Sequence, residues 1–371
     1  MLNIGVIVAS LCAGLGVSLG WASLGWAQSP SQSPSSQVLP VDRPSRSHIL
    51  LYTSSLERAF SEAVTERLKT KAGVAINIKT VLANTAFRDF CAGVSLDAPD
   101  VIAVPRRMSE REFINCNENG VIDVLELKIG YDALVFMTKK GDPIFNLTPK
   151  QTFMALAAEI PKGGKFVPNQ AKRWRDIDVA LPDQDIRVYM PQTGTVINTF
   201  FKDIFMEGGC RGLKQFKEYY MAIDRVRQCT TLRRDDRVVE IRPPIAVNFK
   251  EAAEKAPPGS LIVVPYVTWL NNRHQYDLLP IMGVLPSHDS ITSDEYEAVY
   301  PVLYYVKRGS MEKRFGGKNI APGLYSFIQE IMSEDAKAHG GYLAQRGLVV
   351  EDEDQRIINR EKALRLERFK R

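Results

Sequence analysis

The chain has 371 residues, 45% apolar and 25% charged, with a formal charge of +5 spread over 48 basic and 43 acidic side chains. That apolar share excludes disorder, collagen and a polytopic membrane protein, and the mild positive excess lacks the dense basic stripe of nucleic-acid binding. Setting aside an N-terminal address and linker leaves roughly 320 residues, enough for about two domains or lobes.

Residues 4–27 (IGVIVASLCAGLGVSLGWASLGWA) carry no charge and end on small residues at Gly25 and Ala27. They read as a signal peptide, 1–27, cleaved before Gln28, with an uncleaved membrane anchor as the competing reading. Leu11 before Cys12 is too large for a lipoprotein site. Residues 28–47 (QSPSQSPSSQVLPVDRPSRS) are Ser, Pro and Gln with little to bury, and read as a linker. The folded part is then exported. Of the five cysteines, removing Cys12 with the signal leaves Cys91, Cys116, Cys210 and Cys229, an even set in an oxidising compartment. Four cysteines allow three pairings, and no Cys-x-x-Cys spacing suggests zinc. The sequence-local pairs, Cys91–Cys116 and Cys210–Cys229, are expected as disulfides.

Taken in chain order, Ile49–Tyr52 is a short apolar strand, and Thr53, Ser54 and Ser55 supply hydroxyls before a helix. In that helix Leu56, Ala59, Phe60, Ala63, Val64 and Leu68 recur at helical spacing. A strand at Val74–Thr80 follows Gly73, then a helix at Thr85–Ala92 and a buried strand at Val101–Val104. Further strands are expected at Ala133–Met137, Ile186–Met190, Leu261–Val264 and Val302–Val306. Thr148-Pro149-Lys150-Gln151 opens a helix with a capping box and Pro at its first position. After Pro191-Gln192-Thr193-Gly194-Thr195, a helical face runs through Ile197, Phe200, Phe201, Ile204 and Phe205. Strands alternating with helices predict a parallel α/β sheet.

Three polar strand-to-helix junctions stand out: Thr53–Ser55, Asn84–Thr85 and Thr193–Thr195. Ligands of open α/β sheets sit beyond strand carboxyl ends, where helix N-termini favour anions. Taken singly, each Ser or Thr is more simply a helix cap. His48, His274, His288 and His339 show no metal spacing, and no nucleotide loop or hydrolase elbow is present. Asn146 heads a formal glycosylation sequon at a helix cap. The chain is read as a non-enzyme needing no cofactor.

The strings "FRDFCAG" (87–93), "PDVIAVPRRM" (99–108), "CNENGVIDVLELKIGYDALV" (116–135), "PQTGT" (191–195), "PGSLIVVPY" (258–266), "YPVLYYVKRG" (300–309) and "GGYLAQRGLV" (340–349) occur in family order. In them the chain resembles the periplasmic phosphate-binding proteins of phosphate ABC transporters, the PstS type. The resemblance implies a two-lobed type II periplasmic-binding-protein fold with discontinuous lobes. Lobe 1 would take 48–135 and 280–347, lobe 2 136–279, and 348–371 would be a charged C-terminal tail. It implies a monomeric periplasmic solute-binding protein that captures phosphate or a related oxyanion for ABC permease subunits. The alternative is a divergent envelope paralogue that keeps the scaffold as a structural or interaction protein.

The ligand residues implied are Thr53, Ser54, Ser55, Asn84, Thr85, Arg106, Thr193, Gly194 and Thr195. The loops also depart from the family pattern. Leu82–Ala86 has no glycine, Pro105 stands where a hydroxyl is usual, and Thr193–Ile197 lacks the family Arg and Asp. Arg106 or Arg107 is left to replace that charge. Hydrogen bonds to a charged group contribute ~1.5–3 kcal/mol each, so losing two or three weakens binding roughly a thousandfold or more.

Overall fold

A computed structural model describes residues 45–214, 221–243 and 245–371, and residues 43–371 make up a single compact unit. The expected signal, 1–27, and nearly all of the linker lie outside the described residues. At the linker's end Arg46 is pinned: its guanidinium lies 2.6 Å from the buried carboxylate of Asp100, which also accepts the Leu50 amide.

Chain order begins β1 (His48–Thr53), α1 (Arg58–Ala72), β2 (Ala75–Thr80), α2 (Ala83–Phe90), β3 (Val101–Val104), α3 (Glu110–Glu118) and β4 (Val124–Lys139). Next come α4 (Pro149–Leu156), the hairpin β5 (Glu159–Lys162) and β6 (Lys165–Pro168), and β7 (Val188–Pro191). Helix α5 (Val196–Phe201) runs through a π-turn at Lys202–Glu207 into α6 (Gly208–Arg211). Then follow α7 (Ala222–Thr230), β8 (Val238–Ile241), α8 (Ile245–Lys255), β9 (Leu261–Pro265), α9 (Tyr266–Leu270), β10 (Tyr276–Leu278) and α10 (His288–Thr292). The chain closes with β11 (Val299–Lys307), α11 (Leu324–Ile331), α12 (Glu334–Lys337) and α13 (Glu353–Leu364).

Local signals explain several boundaries. Phe60, Ala63, Val64 and Leu68 make the buried stripe of α1, which Gly73 ends at φ 63° with its amide on Lys69. Capping boxes start α3 at Ser109/Glu112 and α4 at Thr148/Gln151, the latter with Pro149 at its first position.

Nine strands form one sheet in the order β2-β1-β3-β11-β4-β9-β7-β8, with β10 on β4. The expected all-parallel sheet is corrected to a mixed one. Strands β2, β1 and β3 are mutually parallel, as are β8, β7 and β9, but β4 and β11 pair antiparallel with their neighbours. The reason is that β11 brings the chain back from one half to the other and so runs against β3 and β4. Strand β4 hands over within one residue: Val124–Ala133 pair along β11, and from Leu134 its partner is β9.

In the first half the sheet is covered on both faces. Ile49, Val101 and Ala103 pack with α1, α11 and Ala363 of α13, while Ile102 and Val104 pack with α2 and Cys116. The second half has its own core around Phe136, Phe201 and Phe205, which also takes in Ile281, Ile291, Tyr296 and Ala298. Cys91–Cys116 ties α2 to α3, and Cys210–Cys229 ties α6 to α7, as expected. Among the described residues no helix is long and apolar enough to cross a membrane.

Candidate ligand cleft

The loops at the strand ends of the two halves meet over two adjoining cavities. One, of about 250 Å³, has Ser54, Ser55 and Thr80–Leu82 on one side and Thr195, Val196 and Ile197 on the other, with Pro243 and Ile245 at its edge. The second, about 200 Å³, shares Leu56, Leu82, Val196 and Ile197 with the first. It adds Asn84, Pro105 and Arg106 from the first half, Gly194, Thr199, Phe200 and Asp203 from the second, and Tyr300.

Six of the nine residues picked from the sequence therefore line the cleft. Ser54, Ser55 and Thr195 share one cavity; Asn84, Arg106 and Gly194 share the other. Thr53, Thr85 and Thr193 line neither. Thr53 is fully buried and donates to the Ser54 carbonyl at 3.0 Å. Thr193 gives both its amide and its hydroxyl to Glu240, at 3.0 and 2.5 Å. Thr85 sits half-buried on the flank of α2.

Two of the polar groups of the cleft, Thr195 and Arg106, are already engaged. Thr195 caps α5: its hydroxyl donates to the Gln192 carbonyl at 2.7 Å and accepts the Asn198 amide at 3.3 Å. Arg106 forks onto Glu112 at 2.7 and 2.9 Å, donates to Asn84 at 2.8 Å and lies 4.5 Å over the Phe87 ring. Burial works against the charge of Glu112, but the hydrogen bonds from Arg106 and Ser109 outweigh it and hold its carboxyl below the usual range. The charge of Arg106 is thus neutralised by a neighbour on α3. Arg107 lines neither cavity and pairs with Glu126 at 3.2 Å.

Several groups that matter here were not picked from the sequence. Asp132, fully buried where β4 changes halves, accepts from the Tyr300 hydroxyl at 2.7 Å and from the amides of Ala133 and Val267 at 2.8 and 3.2 Å. Burial still raises its carboxyl to about 6. Glu57, which precedes α1, is fully buried, bonds Ser54 and is pushed up to about 8 by burial. Its signal was there to be read, because Glu57 falls in phase with Phe60, Val64 and Leu68 on the buried stripe. Asp203 is raised by burial and then by Glu207. His288 and His339, far apart in sequence, bring their rings within 5.0 Å. Among the described residues no group of three His, Cys, Asp or Glu could hold a metal ion.

A mixed sheet in two halves, crossed by β4 and β11 and with loop ends meeting over a cleft, defines the two-lobed type II periplasmic-binding-protein fold. The chain belongs to the PBP superfamily, whose domain matches residues 42–335. It is similar to protein SphX of Synechococcus elongatus, 26% identical over 189 residues; that match spans 49% of this chain and 52% of the relative, about half its length. Among solved structures it is similar to one described as a possible phosphate binding protein from Planctomyces limnophilus. That pair has a TM-score of 0.59 at 16% identity, over 88% of this chain and all of the other. An ABC-type phosphate transport receptor from Vibrio cholerae aligns with a TM-score of 0.55 at 14% identity, over 82% of this chain and all of the other. At such identities the likeness establishes the fold.

Proposed function

We propose that the protein is an exported solute-binding protein that captures phosphate or a related oxyanion in this cleft and presents it to an ABC permease. One observation carries the reading. Ser54, Ser55, Asn84 and Arg106 from the first half and Gly194 and Thr195 from the second converge on adjoining cavities at strand carboxyl ends. The names of the structural neighbours, a phosphate binding protein and a phosphate transport receptor, support it. The role is binding rather than catalysis, with the protein acting as a periplasmic monomer.

We divide it into a lobe of 45–132 with 299–371 and a lobe of 133–298. That division follows the change of partner on β4 and the packing of Ile281, Ile291 and Tyr296 with the second core. The second reading, an envelope paralogue without tight phosphate binding, is favoured by the bidentate hold of Glu112 on Arg106.

A thermal-shift screen of oxyanions separates the two. A ligand at about a hundred times its dissociation constant stabilises the native state by ~2.7 kcal/mol, which for a chain of this size is a rise of several degrees. Phosphate should raise the melting temperature, and Arg106→Ala should remove about half of that rise or more. No shift with millimolar phosphate, sulfate or phosphonate selects the paralogue reading.

A further inference from the structure

Glu57 is fully buried, although Arg58 and Ala59 beside it face water. Its Oε2 meets the Ser54 hydroxyl, while Oε1, equally buried, has no hydrogen-bond partner. The titratable groups facing it are Asp132 from β4 and Tyr300 and Tyr304 from β11, none of them a cation. Arg58 turns outward to Glu62 and Thr80. An ionised carboxylate is costly in such surroundings. Burial accordingly lifts this one to about 8, so it carries a proton at neutral pH.

The consequence falls on Ser54, which lines the larger cavity. A hydroxyl has one hydrogen to give and two lone pairs to fill. The Leu56 amide fills one at 3.1 Å. When Glu57 is protonated it fills the second, and the Ser54 hydrogen is left to point into the cleft. When Glu57 is ionised it takes that hydrogen, and Ser54 turns a lone pair to the cleft instead.

We propose that Glu57 is a positioning residue that switches Ser54 between donor and acceptor toward the bound oxyanion, making capture depend on the Glu57 proton. The inference rests on reading the cleft as an oxyanion site. Below about pH 8 a fully deprotonated anion receives a charge-assisted bond from Ser54; above it, that bond is lost and a buried negative charge is added behind it.

The test is sulfate and phosphate affinity from about pH 6 to about pH 9.5, by calorimetry on the mature chain, for wild type, Glu57→Gln and Ser54→Ala. Sulfate keeps the same charge over that range, so a change in its binding belongs to the protein. Losing one donor to a charged group weakens binding roughly ten- to a hundredfold. Wild type should lose that much as pH rises through about 8. Glu57→Gln, whose amide can always donate to Ser54, should keep the low-pH affinity with a flat profile. Ser54→Ala should be weak and flat. Equal pH profiles for wild type and Glu57→Gln would overturn the switch, as would a folded Glu57→Gln that binds at no pH where wild type does.

Melting curves without ligand give a second, independent reading. A carboxyl whose pKa is raised on folding contributes stability fully below its unfolded value, and that stability is lost as pH rises through the folded value. Wild type should therefore lose melting temperature relative to Glu57→Gln between about pH 4.5 and about pH 8. Identical pH dependence overturns the inference whatever binds. Should no oxyanion bind wild type near pH 6, the cleft reading fails while the melting curves still decide whether Glu57 holds its proton.

Discussion

Single residues set the electrostatics of the cleft, and the decisive ones are acids. Arg106 is held by Glu112, Asn84 and Phe87 together, so its guanidinium is fixed in place but half spent. Releasing it with Glu112→Gln should tighten dianion binding about tenfold by leaving more positive charge, at a cost of about 1 kcal/mol from the weakened cap of α3. Calorimetry beside a denaturant melt reads both, and weaker binding would show that Glu112 orients Arg106 rather than neutralising it. Asp132 has a clear sign. Burial raises its carboxyl from 3.8 to about 6, so the native state keeps the proton longer than the unfolded chain. Its stabilisation is full below about pH 4 and lost as pH rises through about 6, a change of up to ~3 kcal/mol. Melting curves of wild type against Asp132→Asn should diverge over that window in favour of Asn and stay parallel above it. A constant offset from pH 4 to pH 7 would show that the proton of Asp132 does not matter to stability.

At the scale of elements, how much was legible depends on whether the signal is local. Gly73 at the end of α1, the Thr148/Gln151 capping box and the short apolar strands β1, β3 and β9 all declare themselves within a few residues. The full length of β4 did not, because Asp132 and Gly130 interrupt its apolar pattern for reasons that lie on other elements. Asp132 answers Tyr300 and α9, and Gly130 lies under the chain at Val349. The β5–β6 hairpin was hidden by Pro161 and Pro168, and β8 by its length of four residues. At the cleft, the hydroxyl junctions were legible and Glu57 was readable from its helical phase, while Glu240, which engages Thr193, and Glu112, which engages Arg106, come from packing. Gly130 also yields a prediction. It has φ 158°, and a Cβ there would stand 2.5 Å from the Val349 carbonyl, a backbone atom that cannot swing aside. Gly130→Ala should therefore break the Tyr131–Val349 bridge and loosen α13, destabilising the fold by about 1–3 kcal/mol. Faster proteolysis of the C-terminal segment would show it, and a variant as resistant as wild type would contradict the tight approach. The disulfides act at the same scale. Closing loops of 25 and 19 residues should contribute ~3 kcal/mol each, so reduction under native conditions should lower the melting temperature by several degrees.

For the whole molecule, two strands carry the chain between halves, and each half has its own core. The cleft lies where the loops of the two halves meet. Leu56, Leu82, Val196, Ile197 and Phe200 make the cleft walls largely apolar, and Arg106, the cation lining them, is shared with Glu112. Binding therefore rests on few donors, and its affinity should be modest. The most direct measurement is isothermal titration of the oxidised protein with phosphate near pH 7, with Arg106→Ala alongside. The account predicts saturable one-to-one binding that Arg106→Ala weakens about tenfold or more. No heat of binding at millimolar phosphate or sulfate, from protein shown to be folded, would contradict it.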